Sequence, residues 1–171
     1  SAASIRSSKA EEKTVYVVSP AGFSGLSTTV EFVAGPPVAG NARLSTLYPD
    51  AAIDSAIADT KQAVRINVLL RDRFQNPVVA VVPRIDASGA GNLFVQPGAT
   101  DAVGRAEGLL RSSRAEAKTV ALSAPEGLDG VSVPVLFVAG PPSPVHSALM
   151  IGAPVVADGE AVISATLVIR D

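Results

Sequence analysis

Alternation of apolar and polar side chains is most regular through residues 63–71. Val64, Ile66, Val68 and Leu70 point one way, and Arg65, Asn67 and Arg71 the other. A period of two marks a strand with one face in a core and one in solvent. Thr28, Val30, Phe32 and Ala34 keep the same rhythm over 28–34. Shorter β-branched or apolar runs predict further strands over 14–18, 42–48, 78–82, 93–95, 105–111, 118–124 and 131–139. Between them lie turn signals: Ser19-Pro20-Ala21-Gly22, the Asp72 to Pro77 stretch, Ser88-Gly89-Ala90-Gly91, Gln96-Pro97-Gly98 and Thr100 to Gly104. The stretch 49–62 is Ala-rich and polar, and a helical turn is predicted over 51–57. Seven or so short strands at regular spacing predict an all-β sandwich.

The pattern also repeats. Phe32-Val33-Ala34-Gly35-Pro36-Pro37 returns as Phe137-Val138-Ala139-Gly140-Pro141-Pro142, an offset of 105 residues. Arg6-Ser7-Ser8-Lys9-Ala10-Glu11 answers Arg111-Ser112-Ser113-Arg114-Ala115-Glu116, and Lys13-Thr14-Val15 answers Lys118-Thr119-Val120. A period this long suits a whole sandwich domain of about 100 residues, not a helical solenoid. Later, Ile163, Ala165, Leu167 and Ile169 answer Val64, Ile66, Val68 and Leu70, and Arg170-Asp171 answers Arg71-Asp72, at an offset of 99. The difference places a six-residue insertion within 49–62. The expected organisation is therefore the late strands of one unit over 1–37, a complete unit over 38–142, and the early strands of another over 143–171. Each Gly-Pro-Pro reads as a stiff inter-unit spacer, since proline lacks an amide donor and keeps its predecessor out of helix. A proline-rich ligand would need the repeated pattern that one Pro pair lacks.

Composition narrows the classes. Apolar residues make up 47% of the chain and aromatics only 4%, so the cores must rest on Val, Leu, Ile and Ala. A formal net charge of −2 leaves no basic footprint for nucleic acid and no polybasic membrane anchor. The absence of cysteine removes disulfides and Cys-ligated metals. No apolar run approaches the ~20 residues of a membrane helix. Ser1 reads as an arbitrary start, so the lack of a leader there says nothing of destination.

Candidate chemistry is sparse. His146 is the only histidine and sits in a Ser-Pro-Val-His linker, which leaves a zinc site or a catalytic triad without parts. Asp72 and Asp101 lie in turns, where capping their own backbone is the expected role and cation binding the rival. Asp50, Asp54 and Asp59 around the insertion form a second, weaker cation candidate. Glu126 and Asp129 are expected to solubilise an exposed turn. Ser88-Gly89-Ala90-Gly91-Asn92 resembles a phosphate loop but lacks its lysine and helix, so it reads as a turn. Arg6, Lys9 and Lys13, with their twins Arg111, Arg114 and Lys118, alternate with Glu11 and Glu116, a mixed-sign pattern expected to be solvated or to pair mildly between units. The expectation is no catalytic residue, no metal and no cofactor.

The ordered set Ala58-Asp59, Arg71-Asp72, Asn76-Pro77-Val78, Thr100-Asp101-Ala102-Val103-Gly104-Arg105-Ala106 and Lys118-Thr119-Val120 resembles the bacterial Ig-like repeats of the invasin and intimin type. Gln75 stands where that family often has glycine. The resemblance implies tandem Ig-like Greek-key sandwiches and a non-catalytic, extracellular stalk on a bacterial surface, with adjacent repeats as partners. Two rivals follow. The open strand edges at either end suit a fibre subunit completed head to tail by strand exchange, unless the chain is an excerpt of a longer array. A carbohydrate- or protein-binding module would need an aromatic platform, for which Tyr16, Tyr48 and Phe94 are the contributors.

Overall fold

A computed structural model describes residues 3–19, 22–23, 25–47 and 55–171, and these hold twelve strands and no helix. Eight strands share one core. In the first sheet β3 (Arg43–Leu47), β5 (Val64–Leu69), β8 (Arg105–Ser112) and β7 (Asn92–Val95) lie side by side in that order, all antiparallel. In the second the order is β4 (Ala56–Ile57), β10 (Ser132–Val138), β9 (Ala117–Ala124) and β6 (Arg84–Ala87). Setting the two-residue β4 aside, this is the constant-type immunoglobulin arrangement of an ABED sheet on a CFG sheet. β4 adds a parallel pairing along β10, Phe137 to Ala56 and Val138 to Ile57.

The alternation read from the sequence fills the core. Val64, Ile66, Val68 and Leu70 are buried and meet Val120, Leu122, Val135 and Phe137 of the opposite sheet. Burial of aliphatic side chains at about 25 cal/mol per Å² drives this packing without help from aromatics other than Phe137 and the half-buried Phe94. The turn after β9, expected only to stay soluble, returns Leu128 into the core beneath Glu126 and Asp129.

Outside these eight strands the fold repeats itself in register. β1 (Glu11–Tyr16) and β2 (Ser27–Phe32) form an antiparallel pair in which Lys13 faces Val30, just as Lys118 faces Val135 between β9 and β10. β11 (Ala148–Ile151) and β12 (Ala165–Val168) pair Ala148 with Val168, as β3 and β5 pair Arg43 with Leu69. A one-residue slip would reverse every side chain, so a shared register means a shared inner face.

Three expectations change. Residues 78–82 do not form a strand, and the strand begins only after Pro83, at β6. Ala80 takes φ 60°, which breaks the extended run, and the buried Thr100 captures its backbone. The Thr100 hydroxyl donates to the Val78 carbonyl (2.7 Å) and accepts from the Val81 amide (3.1 Å), while Ala80 N–H donates to the Thr100 carbonyl (2.9 Å). The predicted helical turn over 51–57 falls partly outside the described residues, and its described end is β4, a strand. Lys118, expected at a solvated surface, is buried. It alternates with Val120 and Leu122 on β9 and so faces inward.

Candidate functional site at the repeat joints

Turn chemistry accounts for Asp101 and Asp59. Asp101 Oδ1 accepts from the amides of Val103 (2.9 Å) and Arg105 (2.8 Å), closing its own turn. Gly104 takes φ 77° there, and a Cβ would collide with the Leu70 carbonyl, which explains the glycine. Asp59 Oδ1 accepts from Lys61 and Gln62 N–H (2.8 Å each), and 99 residues on Asp158 Oδ1 repeats the motif with Glu160 (3.0 Å) and Ala161 (2.8 Å). Those amides hold both carboxyls below the ordinary aspartate value of 3.8. Asp50, Asp54 and Tyr48 lie outside the described residues. Among the described residues no three His, Asp or Glu side chains converge as metal ligands. Nor do Tyr16 and Phe94 form a platform: Tyr16 is exposed on the β1–β2 pair, while Phe94 packs on the core.

Asp72 does something more. Its Oδ1 closes the local turn by accepting from Phe74 N–H (2.8 Å) and Asn76 N–H (2.9 Å). Its Oδ2 accepts from Asn76 Nδ2 (2.9 Å) and from Gly35 N–H (3.0 Å), the residue that opens Gly-Pro-Pro. Burial alone would raise this carboxyl. Donation from the Asn76 side chain and from the Gly35, Asn76 and Phe74 amides outweighs burial and holds it below 3.8.

Asn76 extends the lock. Its Oδ1 accepts from Ala10 N–H (2.9 Å) and its Nδ2 donates to the Ser8 carbonyl (2.8 Å), reaching the segment that leads into β1. On the other side Val38 N–H donates to the Arg71 carbonyl (3.1 Å), and Asn41 Nδ2 donates to the Asp72 carbonyl (2.7 Å). The segment after β2 is therefore fastened at Gly35, Val38 and Asn41. A crevice of about 320 Å³ opens beside this joint, between Phe32 and Pro36 on one side and Arg73 and Phe74 on the other. The Arg73 guanidinium lies 4.5 Å from the Phe74 ring centre, over its electron-rich face.

The same joint is built twice. Gly140 N–H donates to Asp171 Oδ2 (2.8 Å), and Ser143 N–H donates to the Arg170 carbonyl (2.7 Å). His146, 105 residues after Asn41, replaces its amide: Nδ1 donates to the Asp171 carbonyl oxygen at 2.9 Å. His146 has a partner after all, and the 105-residue offset from Asn41 was the signal that would have found it.

The charged repeat forms a second paired feature. Lys118 Nζ donates to Glu116 Oε1 (2.5 Å) and to the Ala90 carbonyl (2.7 Å), while Ala90 N–H donates back to Glu116 Oε1 (2.8 Å). The Ser88 to Asn92 turn is thereby stapled to β9. The salt bridge to Lys118 leads, with the Ala90 amide second, in holding Glu116 below the ordinary value of 4.5. In the earlier copy Glu11 meets both Lys13 and Lys9 (2.5 Å each), but there Lys13 remains about one-third exposed.

Paired ABED and CFG sheets, with joints repeated along the chain, define an Ig-type β-sandwich protein. No protein-family model and no curated protein matches the chain. Solved structures do. The fold is similar to that of invasin, described as a bacterial integrin-binding protein, with a TM-score of 0.61 over 85% of this chain at 23% identity. The chain spans 29% of that structure's length. The D00–D0 segment of intimin aligns over 66% of this chain and 55% of its own, with a TM-score of 0.49 and 16% identity. At 23% identity the likeness to invasin is one of fold.

Proposed function

We propose that the chain is a stretch of a tandem array of Ig-like repeats, divided at 1–37, 38–142 and 143–171. Its role is structural and non-catalytic: a stalk that holds a distal binding domain away from a bacterial cell surface. Its immediate partners are the neighbouring repeats. The observation that carries this reading is the joint built twice with the same donors and acceptors, Gly35 on Asp72 and Gly140 on Asp171. A spacer needs each unit held at a set angle to the next, and a carboxylate that accepts from the amide opening Gly-Pro-Pro, at Asp72 a buried one that also closes its own turn, supplies that constraint. The similarity in fold to invasin is in keeping with an extracellular setting.

Spin labels on β1 and on β8 test the mechanical role through the width of their distance distribution. The parent chain is expected to give a narrow distribution and Asp72→Ala a broad one. Equal widths in the two proteins would overturn the stalk reading, since the joint would then not set the angle.

A further inference from the structure

The outer face of the first sheet carries a polar groove. Register sets its side chains in rows across the strands. Arg43 of β3, Leu69 of β5 and Arg105 of β8 form one row, and Ser45, Asn67 and Glu107 form the next. β5 lies between the other two strands, so the two arginines are rooted two strand spacings apart, about 10 Å. These six residues line a groove of about 610 Å³, and Asp101 lines it too. Arg43, Ser45 and Arg105 are exposed, while Asn67 and Leu69 are half-buried.

Donors are left over in this groove. Among the described residues the Arg105 guanidinium makes neither an ion pair nor a hydrogen bond, and the Ser45 hydroxyl and Asn67 carboxamide are also without partners. Arg43 is held in place by its Nη1, which donates to the carbonyls of Gly40 (2.9 Å) and Ala42 (2.7 Å). Its Nε and Nη2 remain available. Neither acid answers Arg105. Glu107 Oε1 lies 3.2 Å from Arg65 Nε, and Asp101 turns Oδ1 to the Val103 and Arg105 amides.

The repeat supplies a comparison within the chain. β11–β12 pairs Ala148 with Val168 and Met150 with Thr166, at the positions of the Arg43–Leu69 and Ser45–Asn67 pairs. The same strand pair thus forms without Arg43, Ser45 or Asn67, so pairing alone does not account for them.

The ligand class follows from what the groove offers. β5 is paired on both sides, so an extended peptide finds no free strand edge in the floor. No aromatic ring lines the groove, so the stacking surface that suits a neutral sugar is missing. What it presents is two guanidinium forks on either side of an aliphatic strip, beside a hydroxyl and a carboxamide that both donate and accept. A ring carboxylate fits such a fork bidentately, ring hydroxyls exchange hydrogen bonds with Ser45 and Asn67, and a sugar C–H face rests on Leu69. The volume lies within the about 300–1,000 Å³ of small-molecule sites. We infer that this groove binds a uronate-bearing oligosaccharide, with Arg105 as the anchor of its carboxylate and Arg43 as the second cation. The inference goes beyond the stalk reading and does not use the Asp72 joint, so either can fail alone.

Titrating hyaluronan tetrasaccharide or tetragalacturonate into the isotope-labelled chain tests this by nuclear magnetic resonance. Saturable shifts are expected at the Asn67 side chain and at the amides of Ser45 and Glu107, with none along β9 and β10. Arg105→Gln and Arg43→Gln should each weaken binding about tenfold or more while the thermal transition persists. Arg105→Lys, which keeps the charge but not the fork, should fall between. Arg84→Gln, an exposed arginine on the opposite sheet, should leave affinity within about twofold of the parent. Absence of saturable shifts with both oligosaccharides overturns the inference, as does equal binding of carboxyl-reduced tetrasaccharide or an equal loss in Arg84→Gln. Tetraglutamate that binds as tightly as the saccharides overturns it in favour of an acidic peptide.

Discussion

Asp72 Oδ2 accepts a hydrogen bond from the amide of Gly35, 37 residues earlier, at 3.0 Å, and Asp171 does the same for Gly140, 31 residues earlier, at 2.8 Å. The six-residue difference is the one between the two offsets, 105 and 99, so the joint keeps its chemistry across a change of length in the intervening chain. An aspartate in an Arg-Asp pair at a strand end thus serves two neighbours at once. It closes its own turn and holds the segment entering the unit.

Removing that carboxylate should cost stability as well as rigidity. Asp72→Ala leaves the Gly35, Phe74 and Asn76 amides without their acceptor, and a buried donor left unsatisfied costs about 1–3 kcal/mol. Asp72→Asn keeps one acceptor oxygen and should fall between the parent and the alanine variant. Equilibrium urea denaturation measures both. A loss within about 0.5 kcal/mol for the alanine variant would mean that water replaces the carboxylate freely.

Acid should find the same groups. Asp72, Glu116 and Glu11 all have folded values held below 3.8 or 4.5, so each binds protons less readily in the folded chain than in the unfolded one. Their contribution is complete above the unfolded values and is lost as pH falls through the folded ones. The melting temperature should therefore be level from neutral pH down to about pH 5 and decline below about pH 4. Asp72→Asn should flatten part of that decline. A melting temperature that stays level down to pH 2 would contradict the assignment.

How far these features were legible depends on the range of the interaction behind them. The Val64 to Leu70 alternation announces a sandwich strand because it depends on local periodicity, and the Phe32–Phe137 repeat is visible by comparing two stretches of the sequence directly. The burial of Lys118 was legible too, since it shares a face with Val120 and Leu122, but its charge argued for solvent. By contrast, residues 78–82 carry a β-branched run that Thr100, about twenty residues away, pulls out of any sheet. The partner of Asp72 is the amide of Gly35, 37 residues earlier, a contact that no local pattern encodes.

The two copies of the lysine–glutamate pair should differ in weight. Lys118 is fully buried and Lys13 is partly solvated, so deleting the carboxylate strands a buried ammonium in one case only. Glu116→Gln should lower the melting temperature clearly more than Glu11→Gln. Replacing both partners, Lys118→Met with Glu116→Gln, should cost less than Glu116→Gln alone, since no buried charge is then left unpaired. Equal shifts for the two glutamate variants would show that burial of Lys118 does not govern the pair.

Gln75 stands in the turn between Asp72 and Asn76 with φ 69°, a left-handed conformation that strains a residue bearing Cβ. Its backbone is held there by donation from its amide to the Asp72 carbonyl (3.1 Å) and by Arg71 Nη1 donating to its own carbonyl (2.7 Å). Glycine adopts this conformation freely, although it gives up more entropy on folding. Gln75→Gly should therefore gain about 0.5–1 kcal/mol net in chemical denaturation. Gln75→Val, branched at Cβ, should lose at least as much. A stabilised valine variant would refute the argument from backbone strain.

His146 offers the most discriminating test of the joint, because the chain itself contains the control. Asn41 Nδ2 and His146 Nδ1 make the same hydrogen bond, each to the main-chain carbonyl of the joint aspartate, at 2.7 and 2.9 Å. What the joint requires is one donor at that position, of either chemistry. His146→Asn should keep the amides of Gly140 and Ser143 as protected from hydrogen exchange as in the parent, and Asn41→His should do so for Gly35 and Val38. His146→Ala removes the donor, and exchange at Gly140 and Ser143 should rise several-fold as the segment opens locally, while the core amides of β5 and β9 stay protected. If His146→Asn exchanges as fast as His146→Ala, the two joints are not equivalent, and the imidazole has a role that the amide cannot fill.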